Sequence, residues 1–406
     1  MLENIIIVTD YGYVEGGAGN VAHQTAIALK KKGYNVSFFC AVGPVSDNLI
    51  KENIEVICLN QKDLISSKNK LKMANQGIYN RYAYKKLCAY LSNFDNTKTI
   101  VHVHTWTKSL SSSIFRATEK LNFKVLLTVH DYFLPCPNGA LFIYKYSQLC
   151  KYKPMSLKCI LCNCDSRNYL HKIFRIFRQI KQNSIIKKSK NINYAFISEF
   201  SKNILLNKFK SFPKDKLFDL PNPITFATNR YRVVCENNDE YLFIGSLTKI
   251  KGIEIFCQAV TVSNVKATVI GVGPLLDELT IKYPNISFVG WKNKQEMQAY
   301  LNKSRCLVFS SICYETMGLT PLEVMSYGLP VLCSNINAAS AYVPKDLHYD
   351  GTNLHSLIDK IKWIEKTNVK EISEKIFNEF DAVSWSEDKH VENLAKIYNA
   401  ILDKNS

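Results

Sequence analysis

The chain is short of acidic residues and of long uncharged apolar runs. Asp and Glu number 35 against 52 Lys and Arg, a net charge of +17. An imbalance of this sign favours polyanionic partners such as nucleic acid, anionic lipid headgroups or phosphorylated substrates. No window reaches about 18 uncharged apolar residues, which argues against a membrane-spanning helix. The opening Met1-Leu2-Glu3-Asn4 has no positive flank, long apolar core or cleavage site, so no secretory leader is expected. A cytoplasmic protein, soluble or peripheral, is the expectation. Low-complexity tracts and internal repeats are also lacking, and 47% hydrophobic with 21% charged residues is the balance of a folded globular protein.

At 406 residues the chain exceeds what one core comfortably holds and suits two. The apolar run at 5–8 is followed by Gly12, Gly16, Gly17 and Gly19, then by the helical pattern Val21, Ala22, Thr25, Ala26, Ala28, Leu29, stopped at Gly33. Strand, glycine loop and helix open a βαβ unit. Further strands are predicted at 36–40, 56–59, 100–103, 125–129 and 194–197, separated by helical stretches, which implies a doubly wound parallel sheet. After the breakers Leu220-Pro221-Asn222-Pro223 the same alternation restarts at 241–244, 267–270, 286–289, 306–309 and 330–333. The expected fold class is α/β, with two Rossmann-like domains at 1–219 and 225–380. A last helix in 381–406, carrying Val391, Leu394, Ile397, Tyr398 and Ile401, is expected to pack back on the first domain.

The segment Ser310 to Ser334 follows a predicted strand, so it lies at the carboxyl edge of the second sheet, where doubly wound folds bind ligands. Thr320, Pro321 and Glu323 have the spacing of a capping box, with Thr320 as N-cap and Glu323 at N3. Gly318 lets backbone approach a ligand, and the helix start behind it offers N–H groups to a diphosphate. Two carboxylates beside an anion site, Glu315 and Glu323, are costly unless they accept hydrogen bonds from neutral hydroxyls. A nucleotide sugar supplies such hydroxyls on its ribose and its hexose.

These residues resemble glycosyltransferase family 4, whose members are retaining enzymes of the GT-B architecture, two Rossmann-like doubly wound domains facing each other across a cleft. Glu315 and Glu323 match its Glu-x7-Glu motif, and Gly318, Gly328 and Pro330 fall where its pattern puts them. The resemblance implies that Glu323 binds ribose, Glu315 the donor sugar, and the backbone of Met317, Gly318 and Leu319 the phosphates. Gly16 and Gly17 match its amino-terminal glycine loop at the donor phosphates. Lys251 matches a lysine that neutralises the leaving diphosphate, while Ser246 stands where an arginine is usual. Gly273, in a second glycine loop, falls near the nucleotide, with a plain turn as the alternative. His130 matches the active-site histidine at the donor sugar, with His104 on the acceptor side.

The implied reaction moves a sugar from a nucleoside-diphosphate sugar to a glycan or polyprenyl-linked acceptor, in cell-surface polysaccharide synthesis at the inner membrane face. No Asp-x-Asp occurs in the chain, so catalysis is expected to need no metal or other cofactor, with charge on the leaving group falling on Lys251 and backbone amides. A nicotinamide-dependent oxidoreductase would want Gly-x-Gly-x2-Gly on the first turn, which the spacing of Gly12, Gly16, Gly17 and Gly19 does not give. A zinc-stabilised nucleic-acid binder leaves the glutamate segment unexplained.

Two segments stand apart. Five of the 13 cysteines, Cys136, Cys150, Cys159, Cys162 and Cys164, crowd together. They suit either a structural zinc, with Cys164 as an alternate ligand, or free thiols or a redox pair. From Ser166 to Ser198 there are eight Lys or Arg and no acid, with Leu170, Ile173, Phe174, Ile176, Phe177 and Ile180 at helical spacing. That pattern fits a helix burying its apolar face on the core, or one lying on an anionic membrane.

Overall fold

The computed structural model describes residues 2–62, 75–209, 212–224 and 230–403. The chain divides into two compact units, one of Met1–Ala140, Tyr152–Pro223 and Ser384–Ser406, the other of Leu141–Lys151 and Ile224–Val383.

Among the described residues the first unit is built on seven strands. In chain order they are β1 (Asn4–Tyr11), β2 (Asn35–Val42), β3 (Glu55–Cys58), β4 (Thr99–Val103), β5 (Lys124–Val129), β8 (Ile192–Phe196) and β9 (Leu217–Asp219). They lie in the order β3-β2-β1-β4-β5-β8-β9, all parallel. Ile5, Ile6, Ile7 and Val8 are fully buried, as a strand covered on both faces requires. Strand order reverses between β1 and β4, so the loops after these two strands flank a crevice. Three helices of this unit matter below: α1 (Gly16–Lys31), α2 (Leu157–Leu161) and α3 (Tyr169–Ile186).

The second unit repeats the plan. Strands β10 (Glu240–Ile244), β11 (Lys266–Ile270), β12 (Ser287–Phe288), β13 (Ser304–Phe309), β14 (Val331–Ser334) and β15 (His348–Tyr349) lie in the order β12-β11-β10-β13-β14-β15, again parallel. Its reversal point falls between β10 and β13, and α4 (Leu319–Met325) follows β13. Sequence boundaries place 141–151 in the first domain; the structure groups this segment with the second unit. It forms a hairpin, β6 (Phe142–Ile143) against β7 (Gln148–Leu149). Ser147 to Leu149 and Lys151 share the lining of a cavity of about 540 Å³ with Lys249, Gly252 and Gln258.

The last helix, α5 (Glu387–Asp403), belongs to the first unit. Val391, Leu394 and Tyr398 share a core with Ala22, Ala26 and Leu29 of α1. Its polar groups are also tied in: the His390 Nδ1–H donates to the Pro221 carbonyl at 3.0 Å, and Tyr398 OH lies 2.7 Å from His102 Nδ1.

Candidate functional site

The two loops at the reversal point of the second sheet are fastened together. In the loop after β10, Gly252 has φ +68, and a Cβ there would lie 1.8 Å from the Ser310 carbonyl oxygen in the loop after β13. Ser310 Oγ donates to the Gly252 carbonyl at 2.9 Å, and the Ile312 N–H donates to the Ile250 carbonyl at 3.0 Å. Only a residue without a side chain permits that approach. The result brings together two residues that are 64 apart in sequence: Lys251 Nζ donates to Glu315 Oε1 at 2.5 Å, and Ser311 Oγ donates to the same oxygen at 2.5 Å. Burial opposes both charges, but their mutual attraction wins. The Glu315 carboxyl is held below the usual carboxylate range and the Lys251 ammonium above its ordinary value. Both are ionised at neutral pH.

The glycine loop after β11 packs closely on its neighbour. A Cβ on Gly273 would lie 2.6 Å from the Leu247 carbonyl oxygen, so Gly273 lets this loop lie against the one after β10. Ser246 is exposed on that loop, and Lys249 is exposed on the lining of the 540 Å³ cavity.

The expected capping box does not form. The N-cap of α4 is Gly318, at φ +77, and no side chain caps the helix. The left-handed glycine starts the helix two residues before Thr320, which moves Glu323 past N3 and out of reach of the cap. Glu323 instead lines a pocket of about 300 Å³ with Ile244, Lys292, Lys294, Met297 and Tyr327. Burial raises its carboxyl, and Lys294 acts in the opposite sense. A half-buried carboxylate at the wall of a partly apolar pocket is suited to accept hydrogen bonds from ligand hydroxyls.

In the first unit, His104 and His130 meet: His104 Nδ1 lies 3.0 Å from His130 Nε2, and the rings stack at 5.3 Å. The His102 ring lies 4.2 Å from that of His104, tilted by 36°. Burial, with nearby imidazoles, pushes His102 and His104 well down, and His130 falls to about 3. These rings are neutral at pH 7. His104 Nε2 is buried and has no partner among the described residues. Both histidines line a small cavity with Thr107 and Asp131, whose carboxyl burial pushes up to about 6. Gly16 and Gly17 are exposed at the start of α1.

Asp10 carries no sequence motif, yet it organises this corner. It accepts backbone hydrogen bonds from Lys108 at 3.0 Å, Ser109 at 2.7 Å and Leu110 at 2.8 Å, which joins the end of β1 to the loop after β4.

Among the described residues no group of three or more His, Cys, Asp or Glu is placed to hold a metal ion. Cys159 and Cys164 face a buried ammonium, with Lys172 Nζ 3.7 Å and 3.1 Å from their sulfurs. Cys136 Sγ donates to Asn138 Oδ1 at 3.0 Å, Cys162 ends α2, and Cys150 lies in the second unit.

Of the two orientations open to helix α3, the structure buries only Ile176 of the apolar stripe and leaves most of the rest in solvent. Leu170, Ile173, Phe177 and Ile180 are exposed, whereas Lys172, Arg178, Gln179 and Gln182 are buried. The inward polar groups hold the loop that follows β5. Arg178 donates to the Pro137 carbonyl at 2.9 Å, Gln179 to Leu134 at 2.7 Å and Gln182 to Phe133 at 2.9 Å. Buried carbonyls of an irregular loop need such donors, and this requirement turns the polar face of the helix inward.

Residues 238–366, within the second unit, match the family described as Glycosyl transferases group 1. D-rhamnosyltransferase WbpZ of Pseudomonas aeruginosa is 29% identical over 109 residues, 25% of this chain and 29% of that protein. The chain spans less than two thirds of the length of the curated relatives it matches. Solved structures align throughout: a glycosyltransferase from Rickettsia africae has 20% identity and a TM-score of 0.65 over 100% of both chains. HepE of Anabaena in complex with UDP-glucose has 13% identity and a TM-score of 0.62, over 97% of this chain and 99% of that one.

The fold is GT-B. At such identities the likeness is one of fold, and within this GT-B chain the Lys251–Glu315 pair and the Glu323 pocket both belong to the unit that carries the family match.

Proposed function

We propose that the protein is a retaining glycosyltransferase of family 4 type that transfers a hexose from a nucleoside-diphosphate sugar to a glycan or polyprenyl-linked acceptor. The observation that carries this is the Lys251–Glu315 ion pair at the reversal point of the second sheet, with Glu323 in a pocket of the same unit. Lys251 would neutralise the diphosphate as it departs, Glu315 would bind the donor sugar, and Glu323 would accept from the ribose. The names of these relatives support a rhamnosyl or glucosyl type of donor chemistry; a setting in polysaccharide synthesis is part of the proposal.

Phosphate binding rests on Lys251 and on backbone approach at Met317, Gly318 and Leu319 more than on a helix dipole, because α4 has only seven residues. Ser246 leaves one cation fewer at the phosphates, which lowers affinity by about 1.5 to 3 kcal/mol on the scale of a hydrogen bond to a charged group. Front-face attack, with the departing phosphate oxygen taking the acceptor proton, gives retention and calls on no divalent ion. The neutral imidazole of His130 positions the sugar as a hydrogen-bonding group.

The test is a thermal-shift panel of UDP-, GDP- and ADP-sugars on the wild type and on Glu323→Ala. A ligand that binds the native state raises Tm. One nucleotide sugar should stabilise the wild type and leave the variant unmoved. Equal response of both, or none from the wild type, removes the donor-site assignment.

A further inference from the structure

We propose that the exposed face of α3, together with α2, is a docking surface for an anionic lipid bilayer. A helix turns about 100° per residue, so Leu170, Ile173, Phe177 and Ile180 fall within an arc of about 80° and run along about 15 Å of the helix. They are 75%, 36%, 57% and 53% exposed, and Leu157 and Leu161 on α2 are 71% and 66% exposed. Tyr169 OH donates to the Ile160 carbonyl at 3.0 Å, which fastens α2 to the start of α3.

This stripe is not a core face left uncovered by a small rotation. The opposite side of α3 is committed: Arg178, Gln179 and Gln182 donate to the carbonyls of 133–137, and Lys172 to Cys164. Turning the apolar side inward would strand those buried polar groups. Sequence and fold therefore keep an apolar stripe in solvent, and contiguous exposed apolar surface marks a contact site.

Charge selects the partner. Exposed Lys153, Lys158, Arg167, Lys181, Lys187 and Lys188 belong to the same stretch of chain. Asp165, the one acid between residues 152 and 190, is buried and paired with Arg175 at 3.1 Å. A second copy of this surface would bring like charges together. An anionic bilayer takes the apolar stripe into its interfacial region and the lysines onto its headgroups. Because the inner side of α3 holds the loop after His130 and Asp131, docking would set that corner of the first unit at the lipid surface, where a polyprenyl-linked acceptor resides. That last step rests on the proposed function; the bilayer contact does not.

The experiment is co-sedimentation of the full chain with vesicles of phosphatidylcholine alone, or containing about 30% phosphatidylglycerol. The wild type is compared with the triple variant L170S/F177S/I180S, whose Tm should match because all three positions face solvent. The wild type should bind the anionic vesicles, and the triple variant about tenfold more weakly or less. About 0.5 M salt should also weaken wild-type binding. Equal sedimentation of wild type and variant, or no wild-type binding to anionic vesicles, overturns the proposal. So does a wild-type dimer that becomes a monomer in the variant without vesicle binding, since a second copy then covers the face. Donor-induced thermal shifts need no lipid, so failure here is separable from failure of the donor assignment.

Discussion

Lys251 and Glu315 hold each other at 2.5 Å from two different loops, and Ser311 donates to the carboxylate oxygen they share. In the proposed reaction both are released to the donor, Lys251 to phosphate and Glu315 to sugar. Lys251→Met and Glu315→Gln should each lower kcat/KM by about 100-fold or more, the scale of removing a preorganised charged group. Lys251 and Glu315 keep 31% and 15% side-chain exposure, so the attraction that overcomes their burial is partly screened by solvent. A double-mutant cycle in urea should return a coupling of about 1 kcal/mol or less. A much larger coupling with intact activity would make the pair structural.

Gly252 is where this geometry is most easily broken. With φ +68 and a Cβ that would lie 1.8 Å from the Ser310 oxygen, Gly252→Ala meets both backbone strain and a clash. A loss of about 2 kcal/mol or more is expected, together with activity, because Lys251 is its neighbour. Denaturant unfolding and turnover should fall together; an unchanged unfolding midpoint would contradict the close approach of the two loops.

Glu323 separates binding from stability. Since α4 is capped by Gly318 and by no side chain, Glu323→Ala and Thr320→Ala should each change stability by less than about 0.5 kcal/mol, against about 1 kcal/mol for loss of a real cap. Only Glu323→Ala should abolish stabilisation by a nucleotide sugar. Chemical denaturation with and without ligand reads both quantities.

Much of this is legible in the sequence. Strands buried on both faces appear as short apolar runs, so 36–40, 125–129 and 306–309 all fall within observed strands. The two-residue strands of the hairpin at 142–149 are too short to carry such a signal. Thr320-x-x-Glu323 spells a capping box, but capping depends on where φ turns left-handed, and Gly318 was the signal that outranked it. In α3, periodicity located the apolar stripe without saying which side the fold buries. That choice is made by carbonyls of Phe133, Leu134 and Pro137, more than 40 residues from their donors. Asp10 was invisible for the same reason, its three partners lying about 100 residues away.

Acid should unfold the protein through its buried imidazoles. His130 is depressed to about 3 and His390 to about 4, each mainly by burial, and His102 and His104 lie well below the ordinary value. In the unfolded chain all four titrate near about 6.5. As pH falls below that value the unfolded state takes up protons that the native state refuses, so stability declines toward pH 3 to 4. Asp131, raised to about 6, and Asp10, also raised by burial, act in the opposite direction, because the native state protonates them first. Glu315, held low chiefly by Lys251 against the effect of burial, adds a further loss only at lower pH. His390 alone should cost about 1.5 kcal/mol between pH 6.5 and 5, since one pKa unit corresponds to about 1.36 kcal/mol and the unfolded imidazole is half protonated at the start of this range. Tm should therefore drop over this range, and His390→Gln, which cannot titrate, should show a shallower slope. A wild-type Tm that is flat or rises down to pH 5 would mean that the histidine cluster accepts protons in the folded state.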